Sequence, residues 1–214
     1  EKAAKMLLAA IPVRVSVGRV CYRDREGSSR SRFFVVAAGV GADAFFFSRL
    51  DPRLKQRLGY KHYLIEVLRL WATHTFPIFA ASFMETSSPT PRVEKVSQLL
   101  AVRISNFGGL VGNLVPGAAI HNDNLKVIAF KTRSRLRYLR FMAAVLLRRH
   151  TYSSTIELVE CVTVECRDLE HSAEPSFVEA DGELLGTLPV RIDVVPQALT
   201  LLIPSKLISR ASHL

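Results

Sequence analysis

The sequence predicts a mainly β, α+β domain: a β-sandwich carrying inserted helices. Two observations lead there. Short apolar runs with period-2 alternation or β-branched residues recur along the chain and crowd its last third, separated by Gly, Pro and Asp turn signals. Helical periodicity clusters mid-chain, and strands and helices do not alternate as a doubly wound parallel sheet requires. At 214 residues the length suits one domain with small appendages.

Taken in order, residues 1–11 read as a short helix ended by Pro12. Val13, Val15 and Val17 then alternate with Arg14, Ser16 and Gly18 as a half-buried strand. Asp24 to Arg32 is a polar turn, and Phe33 to Ala38 the next strand, broken at Gly39-Val40-Gly41. Asp51-Pro52 is a helix start, and Leu64, Val67, Leu68 and Trp71 place a helix over 60–75. Ile78–Met84 and Val93–Ser105 flank a proline-bearing loop as a hairpin, and Phe76, Phe79, Phe83 and Trp71 belong to the core. Asn106–Gly117 is a glycine-rich loop, Leu125–Phe130 a strand, and Ser134–Arg149 a basic amphipathic helix. That helix should bury Leu136, Leu139, Ala143 and Leu146/Leu147, leaving Arg133, Arg137 and Arg140 in solvent. Thr155–Cys166, Ser176–Ala180, Leu184–Val195 and Ala198–Ile203 are strands, with Asp181-Gly182 a hairpin turn. In domain terms, 1–12 is a linker helix, 13–205 the β-sandwich and 206–214 a tail.

Composition narrows the function classes. Lys plus Arg is 29 against 19 for Asp plus Glu, a net charge of +10 that favours phosphates, nucleic acid or an anionic membrane. No apolar run reaches the roughly 18 residues of a membrane span. Three cysteines without a C-x-x-C support neither a disulfide framework nor a zinc site, so a reducing cytoplasm fits best. The histidines show no metal-ligand spacing, and no Gly-x-Ser-x-Gly elbow is present. Nucleic-acid binding would rest on charge alone, with no recognised motif.

Gly39-Val40-Gly41-Ala42-Asp43-Ala44 formally fits a dinucleotide fingerprint, but Gly59 to Tyr63, about 20 residues on, supply no acidic ribose partner. The glycines instead suit a tight strand-to-helix turn. The loop Gly108–Asn113 lacks the Gly-Lys-Ser/Thr of a P-loop. Asp181-Gly182-Glu183 is the sharper feature, because two carboxylates across one turn can share a metal or pair a base with a positioning partner. Arg53, Lys55, Arg57 and Lys61 form one basic cluster, and residues 133–149 another.

In this order the segments resemble the C-terminal domain of the bacterial diacylglycerol kinase and sphingosine kinase-like lipid kinases. The resemblance covers about Val17 to Pro204. It is carried by Phe33 to Ala44, by Arg57-Leu58-Gly59-Tyr60-Lys61-His62-Tyr63, by Asn106 through Asp123-Asn124-Leu125, and by Asp181-Gly182-Glu183 with Val194 to Leu199. Val36, Asn124 and Gly112-Asn113 depart from the family pattern. The resemblance implies the second, lipid-substrate domain of a two-domain kinase that uses ATP and Mg²⁺. Asp181 is then the candidate general base for a lipid hydroxyl, Glu183 assists at metal and nucleotide, Lys55, Arg57 and Lys61 contact phosphates, and Asp123 is the metal candidate. The chain starts at Glu1 and has no Gly-Gly-Asp-Gly-Thr motif, so the expected partner is a preceding ATP-binding domain, without which no kinase activity is expected. A lipid substrate and an anionic membrane surface are the other implied partners, a homodimer is left open, and the implied location is cytoplasmic and peripherally membrane-associated. The alternative is a non-catalytic lipid or anionic-membrane binding module.

Overall fold

The computed structural model describes residues 10–24, 26–49, 65, 69–107, 114–169 and 174–204. Among the described residues the elements follow in the order β1 (Ala10–Arg23), β2 (Ser29–Phe34), β3 (Ala37–Gly41), α1 (Ala42–Arg49), β4 (Phe79–Glu85), β5 (Arg92–Val96), β6 (Gln98–Val102), β7 (Leu125–Phe130), α2 (Arg135–Leu146), β8 (Ile156–Asp168), β9 (Phe177–Ala180) and β10 (Glu183–Pro204). All pairings are antiparallel, in the order β2-β1-β10-β9-β3-β6-β7-β8-β4-β5. An extra β10–β8 pairing, Val190 to Asp193 against Cys166 to Thr163, folds the sheet back on itself. Inside lie Val20, Phe34, Val40, Phe79, Phe83, Leu99, Val127, Val164 and Ile192. The predicted mainly β class with few helices holds.

Several local expectations change. Residues 10–12 open β1 rather than ending a helix, pairing with Pro204, Ile203 and Leu202; residues 1–9 lie outside the described ones. Proline is tolerated there because β2 covers only Gly18 to Arg23, so the start of β1 has one ladder. The expected strand Phe33–Ala38 is split at Val35-Val36, and Val93–Ser105 is split at buried Ser97, whose N–H donates to the Phe130 carbonyl at 2.8 Å. The two expected strands at 184–195 and 198–203 are one. Pro196-Gln197 forms a bulge there, with Gln197 at φ 49° and the register shifting between Val15↔Leu199 and Val17↔Val195. Of the helix expected at 60–75, residues 65 and 69–73 are described and helical.

The largest correction concerns α2. Its buried side is Tyr138, Phe141 and Val145, while Leu136, Leu139, Leu146 and Leu147 are exposed. Two apolar stripes compete on this helix, and the aromatic one wins. Tyr138 stacks on Phe130 at 4.7 Å and tilts against Phe76 at 4.6 Å, and Phe141 meets Phe130 edge-on at 5.4 Å. The Tyr138 hydroxyl also finds Ser97 Oγ at 2.7 Å.

Candidate functional site

The hairpin joining β9 and β10 has the two-residue turn that its Asp-Gly sequence predicts. Asp181 and Gly182 both take positive φ, 48° and 83°, between the paired residues Ala180 and Glu183. Its two carboxylates have unlike surroundings. Asp181 Oδ2 accepts the Val35 N–H at 2.9 Å, and Oδ1 accepts those of Val36 and Ala37 at 2.9 and 3.1 Å. Its own N–H donates to the Ala37 carbonyl at 2.9 Å. Asp181 therefore fixes the bend between β2 and β3, which is why that strand breaks. Glu183 stands open, its side chain 64% exposed, with an ion pair to Arg32 at 2.7 Å.

Two further carboxylates belong to this corner: Asp43, which the sequence places in a glycine motif without a site role, and Glu179, which no motif marks. At the strand-to-helix turn from β3 into α1, Gly41 has φ 99°, and a Cβ there would lie 2.6 Å from the Ser97 carbonyl. A Cβ on Gly39 would lie 2.8 Å from both Asp43 Oδ2 and Glu179 Oε1, so these two acids flank the same glycine. Glu179 is buried and accepts the Gly182 N–H at 2.8 Å. Burial, and then the charge of Asp43, push the Glu179 carboxyl up to about 7. Burial raises Asp43 to about 6. The available signal for Glu179 was a charged residue inside the apolar strand Phe177-Val178-Glu179-Ala180.

Asp123 sits in a different loop, where its carboxylate accepts the Ser16 hydroxyl at 2.5 Å. Arg103, 1% exposed, points its guanidinium into the same loop. It donates to the carbonyls of Asn124, Ser16 at 3.1 Å, Ile120 at 2.9 Å and Asn122 at 2.7 Å. Burial lowers the Arg103 pKa, and the charge of Asp123 opposes that shift. A hard cation would need these same carbonyl oxygens. The residues therefore do not fit a metal at Asp123, because a fixed side-chain cation already holds its oxygen cage. The two loops connect through Arg103, whose N–H donates to the Val36 carbonyl at 2.9 Å. Lys55, Arg57, Lys61 and the loop 108–113 lie outside the described residues.

The fold is similar to solved structures from Bacillus anthracis strain Sterne. One, titled a "putative diacylglycerol kinase", superposes with a TM-score of 0.62 at 14% identity, covering 96% of this chain and 61% of that one. A second, titled a diacylglycerol kinase, gives 0.55 at 11% identity, covering 96% and 59%. The chain thus spans about three fifths of the length of these structures. No curated protein matches it. Residues 34–203, most of the described sheet, match a family model, and the chain belongs to the YegS C-terminal NAD kinase beta sandwich-like domains.

Proposed function

We propose that this domain is the acceptor half of an ATP-dependent lipid kinase, which presents a lipid hydroxyl, of diacylglycerol or sphingosine type, to the γ-phosphate of ATP. The family and the fold shared with diacylglycerol kinase structures support the class. The unequal carboxylates of the 181–183 turn carry the mechanism. A general base needs an oxygen free to meet the hydroxyl. Asp181 already accepts three backbone N–H groups, so in this proposal it holds the turn in place, while open Glu183 takes the proton. Arg32 keeps Glu183 near the turn without burying it. Asp43 and Glu179, with pKa values raised towards neutrality by burial, lie behind the same turn. Bound ATP with Mg²⁺ would supply the phosphoryl group and offset the phosphate charge. Lys55, Arg57 and Lys61 remain the proposed phosphate contacts.

The test is steady-state kinetics on the open reading frame that contains this chain, with ATP and diacylglycerol or sphingosine in mixed micelles. Glu183→Gln should lower kcat by about 10²–10⁴-fold with a melting temperature near wild type. Asp181→Asn replaces an acceptor oxygen by a donor, costing about 2 kcal/mol of stability, or about 4–8 °C in Tm. If Asp181→Asn instead abolishes turnover in a fully stable protein while Glu183→Gln stays active, the base is Asp181. No phosphorylation of either lipid by the wild type would refute the kinase reading.

A further inference from the structure

Helix α2 has two apolar stripes, and the body of the protein uses only one. Outward lie Leu136, Leu139, Met142, Leu146 and Leu147, which are 73, 50, 47, 51 and 70% exposed. So contiguous an apolar face marks an interaction site. The helix and its flanking chain carry one sign of charge, since residues 131–156 contain seven Lys and Arg and no Asp or Glu. Lys131 is held by Glu94 and Glu157, Arg133 by the Phe76 carbonyl and Arg135 by that of His74. Among the described residues, no acidic side chain pairs with the exposed Arg140, Arg148 and Arg149. Beside the helix, Arg137, Arg140 and Arg149 line a groove of about 440 Å³ with Thr151, Ser153 and Thr155, all donors suited to an anionic headgroup.

We infer that this face docks on an anionic phospholipid bilayer. The leucines enter the boundary between headgroups and acyl chains while the arginines hold headgroup phosphates, the division of labour of an interfacial helix. Charge selects this occupant. A second copy meeting the face symmetrically would set arginine against arginine with no carboxylate between. The buried stripe Tyr138, Phe141 and Val145 clamps the helix to the sheet, so the leucines project as a rigid edge. Among the described residues, none on this face is bonded to the 181–183 turn, so its test needs neither ATP nor acceptor lipid.

The 214-residue chain is sedimented with vesicles of phosphatidylcholine alone, or of phosphatidylcholine with phosphatidylglycerol. Binding should favour the anionic vesicles and weaken as salt rises. Each arginine near the surface is worth roughly fivefold in affinity, so Arg140→Gln, Arg148→Gln and Arg149→Gln together should weaken binding about 100-fold at low salt. Leu136→Ser with Leu147→Ser should weaken it about tenfold or more. All these positions are exposed, so melting temperatures should stay at the wild-type value. The inference is overturned by equal binding to both vesicle types, by variants that bind as wild type, or by leucine variants that alter only the size on gel filtration. The last result would assign the face to a second copy.

Discussion

At Glu179 a carboxyl sits among apolar strand residues, and folding moves its pKa from 4.5 to about 7, chiefly through burial. Between those values the folded state keeps a proton that the unfolded state has lost. The stability Glu179 contributes is therefore present below pH 4.5 and is lost as pH rises through 7. The loss is about 3 kcal/mol, and Asp43, raised to about 6, adds in the same direction. Glu179→Gln mimics the protonated form and still accepts the Gly182 N–H. Urea titrations at pH 5 and pH 8 should show the wild type losing about 3 kcal/mol more than this variant. Equal losses would mean that Glu179 does not carry the pH dependence. Asp181, two residues on, accepts three backbone N–H groups, those of Val35, Val36 and Ala37.

At the scale of the element, α2 shows that an amphipathic pattern does not choose its own buried face. Leucine spacing favours 136, 139, 143 and 146/147, yet the ring-lined surface of Phe76 and Phe130 accepts Tyr138 and Phe141. Rings bury more area than leucines and stack at defined distances. Phe141→Ala should cost about 3–5 kcal/mol by denaturant titration. Leu139→Ser, at a half-exposed position, should change stability by about 0.5 kcal/mol or less. A large loss at Leu139 with little at Phe141 would restore the face expected from leucine periodicity.

For the whole molecule, β10 is the spine, pairing with β1, β9 and β8 along its 22 residues. Arg103 ties β1, which pairs along that spine, to the 120–124 loop, because its guanidinium joins a carbonyl of β1 to those of the loop. Removing it takes the guanidinium donor from four carbonyls, of which that of Ile120 still accepts the Ser16 N–H at 3.0 Å. Arg103→Met should cost about 3–5 kcal/mol, the scale of a broken buried ionic network. Arg103→Lys should restore only part, since one ammonium cannot fan out to four acceptors. Because this cation is built in, the wild-type melting temperature should be the same with EDTA as with millimolar Mg²⁺. A marked drop with EDTA would show that a metal shares the Asp123 loop after all.

The sequence by itself determined what a few neighbouring residues encode. Period-2 runs placed most strands. Asp181-Gly182 specified its hairpin through two positive φ angles, and Gly41 marked the strand-to-helix junction, although Gly39 and Val40 lie within β3 instead of breaking the strand. Phe76, Phe79 and Phe83 were legible as core because rings that size are seldom left in water. The first turn of the candidate site, 181–183, was legible for the same local reason. Tertiary structure alone decided the rest. Val35-Val36 breaks a strand because a carboxylate 146 residues away takes its N–H groups. Pro196-Gln197 bulges instead of ending β10 because β1 continues beside it, with Ser16 Oγ accepting the Gln197 N–H at 3.3 Å. Asp43 and Glu179 become one acidic corner, and Arg103 an internal cation, only when distant strands close around them. Dihedral preference and periodicity act within a turn or two of chain. The burial of a charge, and the partner that compensates it, depend on what the closed sheet brings alongside.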